Sequence, residues 1–308
     1  MIGNFLFVAQ QVLVLFILIF IGFLCGKKGL LNQSTVKGMT DLVLYIVTPC
    51  VMITAFQREF SLRLLGNIAI TALVAVLIMT SSILVSKLVF RDSDESRKKV
   101  LQFAVVFSNC GFMSLPLQKA ILGDDGWFYG SIFVAVFNLI VWTYGLVDMS
   151  GDVKQLSVKR LLVNPGIIGV IIALVIFICR IKLPNTLAQP CEYLSNLNTP
   201  VPMLIIGYYL SNADFKKAFT DVGTYIAIIV RLMLIPVCSL FVMKWLSIDS
   251  TILVTCIIAA SAPTAATTTM FSAKFDRDVD TSVSVVAATT IVSIVTMPAV
   301  IGLAQWIS

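Results

Sequence analysis

From residue 6 to residue 305 the chain is a succession of apolar runs parted by short stretches that carry most of its charge. The runs lie at roughly 6–26, 36–56, 65–90, 99–121, 127–147, 161–181, 190–211, 222–244, 252–273 and 281–305. Each is close to the about 20 residues that a helix needs to cross bilayer hydrocarbon. Ten such runs take up about two thirds of the chain, which leaves no room for a separate soluble domain. Only 12% of the residues are charged and 58% are hydrophobic, with a mean hydropathy of +0.98. A soluble globule carries about twice that share of charge. The sequence therefore predicts an all-α membrane protein with ten transmembrane helices.

Charge placement gives the orientation. Fifteen of the 22 basic residues fall in the odd-numbered loops, six in the even-numbered ones, and Arg231 lies inside the eighth run. Cytoplasmic loops collect Lys and Arg, so the odd loops are read as cytoplasmic. This gives a multi-pass protein of the cell membrane with both termini extracytoplasmic. The first run precedes the first basic residue, Lys27, and is not read as a cleaved signal peptide. The net charge of +6 is dispersed between apolar runs. It forms no basic stripe, so nucleic acid is not expected as a partner.

The chain contains no histidine. That removes Ser-His-Asp and Cys-His nucleophiles as well as His-ligated zinc and haem. The seven cysteines are widely spaced, mostly within apolar runs and without a CxxC pair, and are read as packing residues. No enzyme chemistry, cofactor or metal site is called for. The partners expected are the lipid bilayer and a small solute; pairing with a second copy of the chain is left open.

Thr48-Pro49 in run 2 recurs as Thr199-Pro200 in run 7, and Pro116 in run 4 has a counterpart in Pro263 in run 9. The acidic turn Asp124-Asp125 has a counterpart in Asp276 and Asp278. These marks divide the chain into five-helix repeats, 1–155 and 156–308. An odd number of spans per repeat inverts the second relative to the first, the architecture of many secondary transporters. Substrates of such folds bind near the midplane, where helices are broken by Gly or Pro. Run 4 carries Asn109, Gly111 and Pro116, and run 9 carries Pro263 with Thr264 and Thr267. A silent proline kink accounts for either alone; their matched placement favours two broken helices that cross. Free N–H groups and dipole ends at such breaks favour an anion, and a small organic carboxylate fits best. Asn109, Gly111, Pro116, Pro263, Thr264 and Thr267 are the expected substrate contacts. Asn138 is either a further contact or an interhelical hydrogen bond. Arg231 either supports the anion or braces free carbonyls near a break, and Asp41 is either a proton-coupling site or an interfacial residue. Trp142 and Tyr144 fit an aromatic belt or a site wall.

The stretch Asn109 to Pro116, the Ala262-Pro263-Thr264 stretch followed by Phe271 to Phe275, the opening Gly26 to Leu31 through Thr48-Pro49, and Arg231 to Pro236 together resemble the auxin efflux carrier family. That family lies within the bile acid, auxin and arsenite transporter superfamily, and the resemblance covers essentially the whole chain. It implies a scaffold of spans 1, 2, 6 and 7 and a mobile crossover domain of spans 3–5 and 8–10. It also implies export of auxin or transport of malate, malonate and similar acids, driven by protons or the membrane potential. A sodium-coupled carrier resembling the bile acid symporters is the alternative. The short central loop resembles the compact, prokaryotic form. Asn109 and Asn138 match polar residues lining the carboxylate site of the plant carriers. Ser114 stands where a glycine is usual, and run 9 has threonines where amides are common.

Overall fold

The computed structural model describes residues 2–156 and 164–308, and no β-strand forms among them. The main helices are α1 Ile2–Lys27, α2 Gln33–Ala55, α3 Leu62–Val89, α4 Glu95–Val106, α5 Cys110–Ser150, α6 Pro165–Ile178, α7 Asn185–Asn196, α8 Pro200–Ser211, α9 Val222–Trp245, α10 Ser250–Ser261, α11 Thr267–Lys274 and α12 Val279–Ile307, with short helical turns at Val153–Gln155 and Phe215–Ala218. Among the described residues, six (α1, α2, α3, α5, α9 and α12) are long and apolar enough to cross a membrane, and α6 and α10 are shorter apolar helices. The chain is thus less uniform than ten equal runs. Runs 4, 7 and 9 are each split into two helices, and the start of run 6 lies outside the described residues.

Lipid-like surroundings are written on α1. Its buried stripe is Val8, Val12, Leu15 and Ile19, spaced for one helical face, yet the opposite face exposes Leu6, Leu13, Ile17 and Phe20. A helix apolar on every side suits hydrocarbon, not water.

Seven helix starts at loops are capped by side chains. Asn32, Ser61, Asp94, Asn164, Asp221, Asp249 and Asp278 accept backbone N–H bonds from the first turns of α2, α3, α4, α6, α9, α10 and α12. Three helices contain a π-helical turn followed by proline two positions on: Val43–Val47 before Pro49, Cys110–Ser114 before Pro116, and Val230–Leu234 before Pro236. Proline lacks the N–H of the next hydrogen bond and its ring crowds the preceding turn, which widens to relieve both. The fourth, Val141–Gly145, has no such proline.

The loop expected at Gly123–Gly126 is tighter than a free connection. Gly123 alone turns the chain, at φ 63° and ψ −145°, with Asp124 and Asp125 exposed. The two arms of α5 then close on each other, since a Cβ on Gly130 would lie 2.7 Å from the Gln118 side-chain amide carbon. Ion pairs tie the loops at each end of the bundle: Arg97 to Asp92 and Asp221, and Lys99 to Asp148, at one; Arg58 to Asp125 at the other. The Arg58 end is packed by Phe56, Phe60, Phe128 and Phe177, with ring centroids 4.8–6.1 Å apart.

α1 and α8 meet through glycines. A Cβ on Gly207 would lie 2.6 Å from the Phe23 nitrogen, and one on Gly22 would lie 2.7 Å from the Leu204 Cα. Gly207→Val is expected to destabilise the protein by about 1–3 kcal/mol through overpacking. Gly66→Ala in α3, where an added methyl meets nothing within 4 Å, is expected to stabilise it by up to about 1 kcal/mol. Thermal unfolding in detergent checks both signs.

Candidate functional site at the paired helix breaks

α4 ends at Val106, and Phe107 turns the chain into extended backbone (φ −102°, ψ 103°). α10 ends at Ser261, and Ala262 does the same (φ −64°, ψ 150°). These two interruptions meet. Ser108 and Thr264 form an antiparallel bridge, with Asn109 N–H donating to the Pro263 carbonyl at 2.7 Å and Ala265 N–H to the Phe107 carbonyl at 2.9 Å. Backbone exposed by one break is satisfied by the other, which is what broken helices require away from water.

The carbonyl ends of both incoming helices are closed off. Arg231, 2% exposed, donates from Nη1 to the Val105 carbonyl at 2.8 Å and the Val106 carbonyl at 3.4 Å. Its Nη2 reaches the Ala260 carbonyl at 2.8 Å and its Nε the Ala262 carbonyl at 3.2 Å. Thr264 Oγ1 donates to the Ala104 carbonyl at 3.0 Å, and Phe107 N–H to the Phe103 carbonyl. The last four carbonyls of α4 are thereby all paired.

The amide ends are the opposite. α5 begins after Asn109 and α11 after Ala266, and neither start has a side-chain cap. Both starts, through Gly111 and Phe112 and through Ala266 and Thr267, line a cavity of about 580 Å³. Helix amide ends carry partial positive charge and unpaired N–H groups. Seven loop starts have side-chain caps; α7 and α8 also lack one, but the starts of α5 and α11 are the uncapped pair that faces the cavity.

The cavity is mostly apolar, walled by Phe112, Phe137, Trp142, Phe271, Tyr45 and Tyr209 among others. Among the described residues Asp41 is its one charged side chain, exposed and without an ion pair, and no Lys or Arg lines it. Of the residues expected as contacts, Asn109, Gly111, Asn138 and Thr267 line this space. Asn109 is 6% exposed and its side chain makes no hydrogen bond, while the Thr267 hydroxyl is buried without a partner. Asn138 donates to the Val134 carbonyl one turn back at 3.0 Å while facing the cavity.

Pro116, Pro263, Thr264 and Arg231 do not line it. The Thr264 hydroxyl is spent on Ala104, the Pro263 carbonyl on Asn109, and Arg231 on four carbonyls; Pro116 is buried at the start of the regular α-helical part of α5. These residues build the crossing and are not positioned to touch a ligand in the cavity. Trp142 joins the wall, stacked edge-on to Phe271 at 5.4 Å, whereas Tyr144 lies away from it under Lys87. Asn164 and Asn198 also line the cavity and were not among the expected contacts. Asn198 immediately precedes Thr199-Pro200, so its place beside a repeated proline was its only sequence signal.

Removing the Arg231 side chain strands carbonyls that no water reaches, at about 1–3 kcal/mol for each. Arg231→Met is therefore expected to lower stability by at least about 3 kcal/mol. Arg231→Lys recovers only part, because an ammonium lacks the planar fork that serves two helix ends at once. Thermal unfolding of purified variants measures both.

Comparison with known proteins agrees with this architecture. A family described as membrane transport protein matches residues 7–159 and again residues 148–301. An uncharacterized transporter of Methanocaldococcus jannaschii is 22% identical over 309 residues, covering 96% of this chain and 97% of that protein. An uncharacterized transporter of Methanothermobacter thermautotrophicus is 22% identical over 297 residues, covering 94% and 96%. With both halves matched and compact archaeal relatives aligned almost end to end, the chain is a membrane transporter, not an enzyme, and belongs to the membrane transport protein family of the auxin efflux carriers.

Proposed function

We propose that the protein is a secondary active transporter that moves small organic anions by alternating access. The observation that carries this reading is the pair of uncapped helix starts facing one cavity, with the opposing carbonyl ends covered by Arg231. Two positive dipole ends and an unpartnered Asn109 amide then meet a carboxylate without any full positive charge.

The lining favours one kind of anion. A dicarboxylate such as malate or malonate has a second charge to neutralise, and no cationic residue lines the cavity among the described residues. A monocarboxylate with a flat apolar body, auxin-like in build, would use the aromatic wall. Asp41 would then serve as the coupling site: protonated, it admits an anion into a cavity whose other lining residues are uncharged. A sodium-coupled carrier finds less support, since Asp41 is the cavity's only carboxylate among the described residues and lies on α2, not on a crossing segment.

In this reading the chain makes ten spans as two inverted repeats, 1–155 and 156–308. The splits at Val106/Cys110, Asn196/Pro200 and Ser261/Thr267 each fall within one span, and Gly123 parts two. α1 packs on α8 and α2 on α6, where Gly169 abuts Pro49, as spans of one scaffold would, and α1 also packs on α12. With both termini extracytoplasmic, the cavity opens to the cytoplasm, towards the starts of α2 and α6, and the four phenylalanines close the outer side.

Proteoliposome uptake of labelled indole-3-acetate, malate and malonate, with pH and sodium gradients imposed separately, tests the reading. Indole-3-acetate uptake responding to the pH gradient is expected. Uptake driven by sodium alone would replace the proton-coupled reading, and no uptake of any of the three acids would end it. Asn109→Ala is expected to raise the apparent KM about 10-fold or more, the worth of one hydrogen bond to a charged group. Asp41→Asn is expected to abolish the response to pH while binding persists.

A further inference from the structure

Proline at 116 has a consequence five residues upstream. In the π-helical turn Cys110–Ser114 the Leu115 N–H donates to the Cys110 carbonyl. In the same register the Gly111 carbonyl would receive the N–H of residue 116, and proline has none. Gly111 lines the cavity. Its carbonyl would be an acceptor without a helical donor in the very turn that offers N–H groups to an anion.

A donor for it comes from another part of the chain. Asn198 lies between α7 and α8, where Pro200 and Pro202, on either side of Val201, each remove a helical donor and the helix splits. Asn198 is 2% exposed, lines the same cavity, and its Nδ2 donates to the Gly111 carbonyl at 3.2 Å. The position in the first half that matches Asn198, in the register of Thr48-Pro49 and Thr199-Pro200, is Val47, which has no amide to offer.

We infer that Asn198 is a positioning residue for the carried anion: by donating to the Gly111 carbonyl that Pro116 leaves without a helical partner, it holds the turn behind Asn109 in its anion-receiving form. The inference rests on the organic-anion reading above. Asn198 acts through the turn and not by contact with the anion, so altering it changes how well the turn receives a carboxylate. It is also a polar tie from the α7–α8 break to the crossing, one that parts whenever the crossing shifts against α8.

The test is equilibrium binding of labelled indole-3-acetate to the purified full chain in nanodiscs, with thermal unfolding run alongside. Asn198→Ala is expected to weaken binding about 10-fold, some 1.4 kcal/mol, with the thermal transition lowered by no more than one stranded carbonyl accounts for. Asn198→Asp is expected to bind worst at neutral pH, where an ionised carboxylate can only accept. Its binding should recover more steeply as pH falls than that of the unaltered protein, whose own response belongs to Asp41, because the protonated acid at 198 regains a donor. Pro116→Ala restores a backbone N–H at the position facing the Gly111 carbonyl, so adding it to Asn198→Ala is expected to return part of the lost affinity. Binding unchanged in Asn198→Ala, or a double variant no better than Asn198→Ala with a pH response in Asn198→Asp no steeper than that of the unaltered protein, overturns the assignment alone. Failure of the unaltered protein to bind indole-3-acetate, malate or malonate overturns the organic-anion reading together with it.

Discussion

One buried guanidinium holds the centre of this molecule together. Two helices that stop halfway through a membrane protein leave orphan carbonyls where no water can serve them, and each orphan works against folding. Arg231 reaches the ends of α4 and α10 at once, with three nitrogens on four carbonyls. A charge with no carboxylate partner is ordinarily prohibitive at such depth. Here the two converging negative dipole ends are the counter-charge, so the arginine and the helix breaks each make the other tolerable.

The same arrangement sorts polarity in space. Carbonyl ends point to Arg231 and are closed off; amide ends point to the cavity and stay open. Had Arg231 been absent, the negative ends of α4 and α10 would lie beside the positive starts of α5 and α11, and the fields would largely cancel. The bridge at Ser108 and Thr264 fixes this geometry by backbone pairing, a short piece of β-like contact inside an otherwise helical chain.

Much of this was legible beforehand because the signals are local. Proline and glycine clustered with polar residues inside an apolar run disfavour regular helix, so the interruptions near Asn109 and Pro263 could be located by eye, although a lone proline such as Pro298 sits in unbroken α12. What could not be read is which partner each freed group finds. The Thr264 hydroxyl looked like a ligand donor, yet it pairs with Ala104, 160 residues away. The role of Asn198 depends on Gly111, 87 residues distant, and a single asparagine beside a proline carries no mark of that. The two readings of Arg231 differed only in where its planar head points, which packing decides. The split of run 7 has a local cause, Pro200 with Pro202, but its apolar length hides it among uninterrupted spans.

The uncapped starts of α5 and α11 have one more implication. Peptide groups neither titrate nor mutate, so, with Arg231 in place, the contribution of these helix starts to the field at the crossing changes neither with acidity nor with the side chains of the cavity wall. Over evolutionary time the walls could be refitted for acids of new shapes while the electrical preference stayed where the backbone set it.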